Sequence, residues 1–60
     1  MSKKHFNSLA LNLRAIEPSG KEDQSHAWKV WRECCYAVAA SCADANPNFD
    51  RDRFLAACGL

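Results

Sequence analysis

The chain predicts an all-α fold, a three-helix mini-domain in which a long central helix carries an N-terminal helix and a short C-terminal one. Three observations predict it. Trp28, Trp31, Cys35, Val38, Cys42 and Ala45 recur at alternating gaps of three and four, which draws one stripe along a helix. Phe6, Leu9, Leu13 and Ile16 repeat the same rhythm near the start, widened by Ala10. Two breaks, Pro18-Ser19-Gly20 and Asn46-Pro47-Asn48, divide the chain into three helical stretches, and no strand-like alternation interrupts them.

The first helix is expected over about 3–17, with Ser2 as its cap. Lys3 and Lys4 stand at its positive end, where the macrodipole disfavours cations, so its first turn should fray. Leu11 falls off the apolar stripe and should be partly exposed. Pro18 biases its predecessor away from helical dihedrals and Gly20 permits a sharp turn, so the helix stops there.

The central helix is expected over about 23–45. Its start is ambiguous within 20–26, because Ser19-x-x-Glu22 has capping-box spacing and Asp23 and Ser25 compete as caps. The buried stripe tapers from two indoles to small residues. The wide end should meet the first helix and the narrow end the third. Beside the stripe runs a second surface, with Lys29 and Arg32 on one flank of Tyr36 and Ala39, Ala40 and Ala43 on the other.

The third helix, about 50–58, has the clearest local grammar. Asp50 is the N-cap, and Phe49 and Phe54 occupy the N′ and N4 positions of a hydrophobic staple. Gly59 is the C′ residue of a Schellman ending closed by Leu60 over Leu55. So short a helix does not persist alone and must pack through Phe49, Phe54, Ala57 and Cys58.

Sixty residues make one small domain of marginal stability. Four cysteines raise the questions of disulfides and zinc. Met1-Ser2-Lys3-Lys4 leads into a helical pattern rather than an apolar export segment, so a reducing cytosol is the expected setting. Cys35 and Cys42 are two helical turns apart, about 10 Å, which is too far to bridge. Only Cys58 can reach back to another cysteine. His26, Cys34, Cys42 and Cys58 lack the paired spacing of zinc ligands, so no metal or other cofactor is expected. Cys35 and Cys42 read as small buried hydrophobes.

The net charge is +1. Residues 1–32 hold six Lys and Arg against three acids, and residues 33–60 hold two against four. That is a mild dipole, neither a basic nucleic-acid footprint nor an acidic block. No apolar run approaches a membrane span. Glu22 and His26, four apart, are an ordinary helix-surface pair. With no phosphate-binding glycine loop and no paired catalytic carboxylates, the chain is expected not to be an enzyme.

Partner binding needs only a rigid face with anchors, and aromatic and arginine residues are the usual anchors. The candidates are Lys29, Arg32 and Tyr36 on the central helix, and Arg51 and Arg53 at the start of the third. A helix, a short turn and a helix opening with arginines also suggest a DNA-binding pair. Asp50 and Asp52 would repel phosphates there, and the small net charge disfavours tight non-specific binding.

Asn46-Pro47-Asn48-Phe49-Asp50-Arg51-Asp52-Arg53-Phe54-Leu55-Ala56-Ala57-Cys58-Gly59 resembles an ending shared by small proteins of phages and other mobile elements, and the Met1–Phe6 opening and Trp-rich helix are similar to theirs. The resemblance implies a phage- or plasmid-borne protein acting in the cytoplasm of a bacterial host. It implies a non-enzymatic inhibitor of a host-defence complex, of the anti-CRISPR kind. Its partner would be a host protein or ribonucleoprotein, and it would act as a monomer or homodimer. The alternative is a small DNA-binding accessory or transcriptional regulator of the element.

Overall fold

The computed structural model describes residues 3–60. They form three helices and, among the described residues, no strand: α1 Lys3–Ala15, α2 His26–Ala45 and α3 Arg51–Ala57. The expected cap at Ser2 lies outside the described residues. Both terminal helices contact the central one, as the sequence predicts. Phe6 of α1 meets Phe49, just ahead of α3, edge-on with ring centroids 4.8 Å apart. At the other end, a methyl group added to Gly59 would sit 3.4 Å from Glu17 Oε1. α1 and α3 therefore run in the same direction, and α2 runs against both.

The core is one cluster: Ala10, Trp28, Trp31, Cys35, Ala39, Phe54 and Cys58 are all buried within it. Two details depart from the expected stripes. On α2 Ala39 is wholly buried, while Val38 is only half-buried and Ala45 is exposed. The reason lies in the third helix. It settles beside Cys35 and turns the buried side of α2 toward the four-residue step from 35 to 39. On α1 the buried residue is Ala10, with Phe6, Leu9 and Leu13 at the core's edge. Ala10's small side chain lets a neighbouring helix approach closely, since interaxial distance follows the side chains at the contact. Ile16 is 68% exposed, and α1 ends at Ala15 rather than Glu17. Pro18 pulls the preceding chain out of helical register before Ile16 can join the stripe. Leu11, at 61%, is exposed as its register predicts.

The α1–α2 connection decides where α2 begins. It begins at His26, later than the expected 23, because Ser25 is the cap. Ser25 Oγ accepts from the Trp28 amide at 3.3 Å and donates to the Ser19 carbonyl at 3.1 Å. Its own amide donates to the Gly20 carbonyl at 2.9 Å. Ser19 and Asp23 offer no such double engagement, so residues 21–24 remain a turn, and Glu22 and Asp23 fall outside the first turn of α2. Gly20, at φ +107°, makes this possible: a β-carbon there would lie 2.6 Å from Ser25 Cβ.

The two indoles join α2 to the end of α1. Trp31 Nε1 donates to the Leu13 carbonyl at 2.9 Å, and Trp28 Nε1 donates to Glu17 Oε2 at 3.0 Å. Leu13 belongs to the last turn of α1, whose carbonyls lack intrahelical donors. The indole therefore buries its ring and caps a helix end with the same side chain. The rings themselves sit 6.2 Å apart.

α3 forms as its local sequence dictates. Asp50 Oδ1 accepts from the Arg53 amide at 3.1 Å, and the Phe49 and Phe54 rings close the staple at 5.4 Å. Gly59, at φ +100°, donates to Ala56 and Leu60 donates to Leu55, which are the two bonds of a Schellman motif. Lys21 Nζ donates to the Gly59 carbonyl at 2.9 Å and ties this ending to the loop between α1 and α2.

Trp31→Ala should cost about 3–5 kcal/mol, comparable to the whole stability of a domain this small, and leave no cooperative melt by circular dichroism. Trp31→Phe keeps most of the ring but loses the bond to Leu13, and should remain folded with a lowered midpoint. A Trp31→Ala protein melting like the parent would show that the indole is not part of the core. Gly20→Ala should lower the midpoint as well, because its backbone is left-handed and the added methyl meets Ser25.

Candidate functional site

The expected binding residues do not all serve one feature. Lys29, Arg32 and Tyr36 follow one another along α2, with Lys29 exposed and the other two half-buried. Arg32 has a structural occupation. Its guanidinium lies over the Trp28 ring, 5.3 Å from the centroid, one turn further along the same helix. Such a contact is worth about 0.5–1 kcal/mol at a partly wet site. Its Nε is buried without a hydrogen-bond partner, and NH2 stands 3.7 Å from Glu33 Oε1. At that separation and exposure the ion pair adds little. Arg32 thus covers the outer side of Trp28 while keeping part of its charge in water. Of the alanines flanking Tyr36, Ala39 belongs to the core, and only Ala40 and Ala43 are exposed.

Arg51 and Arg53 are both exposed at the start of α3, but only Arg53 lines a groove. This groove, of about 480 Å³, opens where the first turns of α1, the α2–α3 connection and α3 converge. Phe6, Ala10, Phe49, Phe54 and Ala57 form its apolar surface, and Lys3, Asn7, Asn46, Asn48, Asp50 and Arg53 supply its polar groups. Asp50 spends an oxygen on the Arg53 amide, and Asn46 Oδ1 accepts from the Asn48 amide at 3.0 Å. Neither Lys3 nor Arg53 enters an ion pair among the described residues, where Arg32–Glu33 is the one such pair. The groove therefore offers three aromatic rings beside two uncommitted cations and several amides. That arrangement suits an apolar side chain accompanied by a carboxylate.

Sequence reasoning missed Lys3, Asn7, Asn46 and Asn48 as groove residues. They come from segments about forty positions apart, and only the pairing of Phe6 with Phe49 brings them together. A shallower groove of about 340 Å³, lined by Leu9, Ala37, Val38, Ser41 and Cys42, lies elsewhere on the α1–α2 side and is almost wholly apolar.

The remaining chemistry is in the cysteines. All four are free: Cys34 is exposed, and Cys35, Cys42 and Cys58 are buried. Burial is the main cause that pushes the Cys35 thiol up to about 12 from its ordinary 9.0, with Cys58 beside it adding to the rise. Burial also raises Cys58, partly offset by the hydrogen bond it shares with Cys35. No three His, Cys, Asp or Glu side chains gather to hold a metal ion among the described residues. No described helix is long and apolar enough to cross a membrane.

These shifts set a pH dependence. A thiol raised in the folded state is neutral there while the unfolded chain ionises from about 9.0, so its contribution is complete below pH 9.0 and is lost as pH climbs toward 12. Stability measured by urea unfolding should fall progressively across that window, and Cys35→Ala should flatten the slope. An aromatic disulfide reagent should label Cys34 rapidly in the native protein, and Cys35 and Cys58 only on opening. Rapid labelling of three or four thiols would contradict the buried assignment.

Comparison with family models, curated proteins and solved structures found no match to this chain in any of the three.

Proposed function

We propose that the chain is a non-enzymatic binding protein that inhibits a larger protein target. The observation that carries this reading is the groove at the start of α3, where the Phe6, Phe49 and Phe54 rings lie beside Lys3 and Arg53, two cations without an ion-pair partner among the described residues. The occupant that its charge complements is a segment of another protein bearing an apolar side chain next to Asp or Glu. Lys29, Arg32 and Tyr36 on α2, with Arg51, form the outlying contacts of the same interaction. Standard interfaces bury about 800 Å² per partner, so a molecule of this size engages most of one side.

The mobile-element resemblance of the ending supports the setting. The target is a bacterial host-defence protein or ribonucleoprotein, of the kind anti-CRISPR proteins block, and the site of action is the host cytoplasm. DNA binding is the weaker reading, because Asp50 stands among the groove's cations and Asp52 follows Arg51 directly.

Arg53→Glu reverses an exposed charge without touching the core, so helicity should be kept. Tagged parent and variant are incubated with bacterial lysate, with and without nuclease treatment in parallel. A stoichiometric protein captured by the parent and reduced at least tenfold by Arg53→Glu supports the proposal. The double variant Arg32→Ala/Tyr36→Ala tests the outlying contacts in the same assay. Recovery only of nucleic acid, lost with nuclease or higher salt, would favour the DNA reading. Equal capture by parent and Arg53→Glu would remove the groove from the interface.

A further inference from the structure

The core holds a pair of nucleophiles that the binding proposal does not use. Cys35 lies midway along α2 and Cys58 caps the end of α3, and each is completely buried. They belong to one buried cluster where α3 packs on α2, and each thiol stands near enough to shift the other's ionisation. A disulfide needs its two β-carbons about 4 Å apart, and α3 packed on α2 with both side chains enclosed in the same cluster is the arrangement that brings them together. The other cysteines do not compete. Cys34 is exposed, although it neighbours Cys35 in sequence. Cys42 is about 10 Å from Cys35 along the helix and lines the shallower apolar groove, outside this cluster.

We propose that Cys35 and Cys58 are a latent dithiol, which a low-molecular-weight disulfide such as oxidised glutathione converts into an intrachain bond that staples α3 to α2. The docked thiols are protonated and inaccessible, so the reaction proceeds through local opening. α3 is the element that opens. It has seven residues, lies at the end of the chain, and is too short to persist undocked. In the opened state the Cys58 thiolate attacks one sulfur of the reagent RSSR, forming Cys58–S–S–R and releasing RS⁻. Before α3 has fully docked again, while Cys35 is still open to water, its thiolate attacks the Cys58 sulfur, forming the Cys35–Cys58 bond and releasing a second RS⁻. The two thiol protons finish on the two RS⁻. Two protein thiols are thus oxidised by two electrons while one RSSR is reduced to two RSH. Dithiothreitol reverses the change.

The full chain is incubated with oxidised glutathione in mildly alkaline buffer, just below its melting midpoint, then alkylated and digested with trypsin. The expected product joins peptide 33–51 to peptide 54–60, and fragmentation places the link on Cys35 rather than on its neighbour Cys34. The link should form in the parent, Cys34→Ser and Cys42→Ser, and should be absent from Cys35→Ser and Cys58→Ser. The oxidised chain should melt about 10–20 °C higher than the reduced one, as expected for closing a loop of this length in so small a domain. Fragmentation of the parent's product keeps the assignment testable if Cys35→Ser fails to fold. A link on Cys34 or Cys42 would overturn the proposal. So would glutathione carried on Cys34 alone with no intrachain link, or an oxidised form that melts no higher.

Discussion

The bond from the Trp31 indole to the Leu13 carbonyl is the constraint on which the arrangement depends. α1 has 13 described residues, too few to be stable alone, and its last carbonyls need donors. α2 supplies one from a ring that is itself 5% exposed. Trp28 repeats the device one turn earlier, on Glu17 just beyond the end of α1. Burying an aromatic ring contributes more than either hydrogen bond. The bonds decide instead where the ring goes. An indole N–H enclosed without an acceptor would be costly, so the end of α1 has to stand over these two rings. Ser25 and Gly20 set the length of the connection that allows it.

The other half of the molecule follows from that placement. With α1 and α2 joined at the indole end, α3 lies along both and closes the core with Phe54 and Cys58. Its Schellman ending reaches the α1–α2 loop through Lys21. At its opposite end Phe49 packs on Phe6 and leaves the groove that carries the proposed binding role. Stability and the candidate site are therefore divided along the molecule. The indole end is dry and hydrogen-bonded, and the phenylalanine end remains open, with Lys3 and Arg53 beside the rings. Arg32 connects the two questions, since its position over Trp28 gives it a packing role whether or not it touches a partner.

α3 was legible almost residue by residue, because its signals are local: a cap at Asp50, a staple between residues five apart, and a glycine at C′. The start of α2 was not, since several residues nearby are competent caps. The choice fell to Ser25 through a hydrogen bond to Ser19 that no periodicity encodes. The α2 stripe was right at Trp28, Trp31, Cys35 and Cys42 and wrong at Ala45 and between Val38 and Ala39, because helical spacing does not say from which side a third helix will arrive or how far along it will reach. Among the candidate site residues, the exposure of Arg53 could be read from its place in the first turn of α3. Its convergence with Lys3, Asn7 and Asn46 is a property of the packed fold. The meeting of Cys35 with Cys58 is of the same kind: Cys58 could be singled out as the one cysteine free to reach another, and only the docking of α3 selects its partner.

The most direct test of this account is hydrogen exchange of the two indole N–H groups, followed by NMR in the reduced protein. The Trp31 indole should exchange as slowly as the most protected backbone amides of α2, so that it is released only by global unfolding. Trp28 should be protected to a lesser degree, because Glu17 is itself only half-buried. A Trp31 indole that exchanges rapidly while the α2 amides stay protected would mean that α1 is not held by this bond, and the central claim would fail.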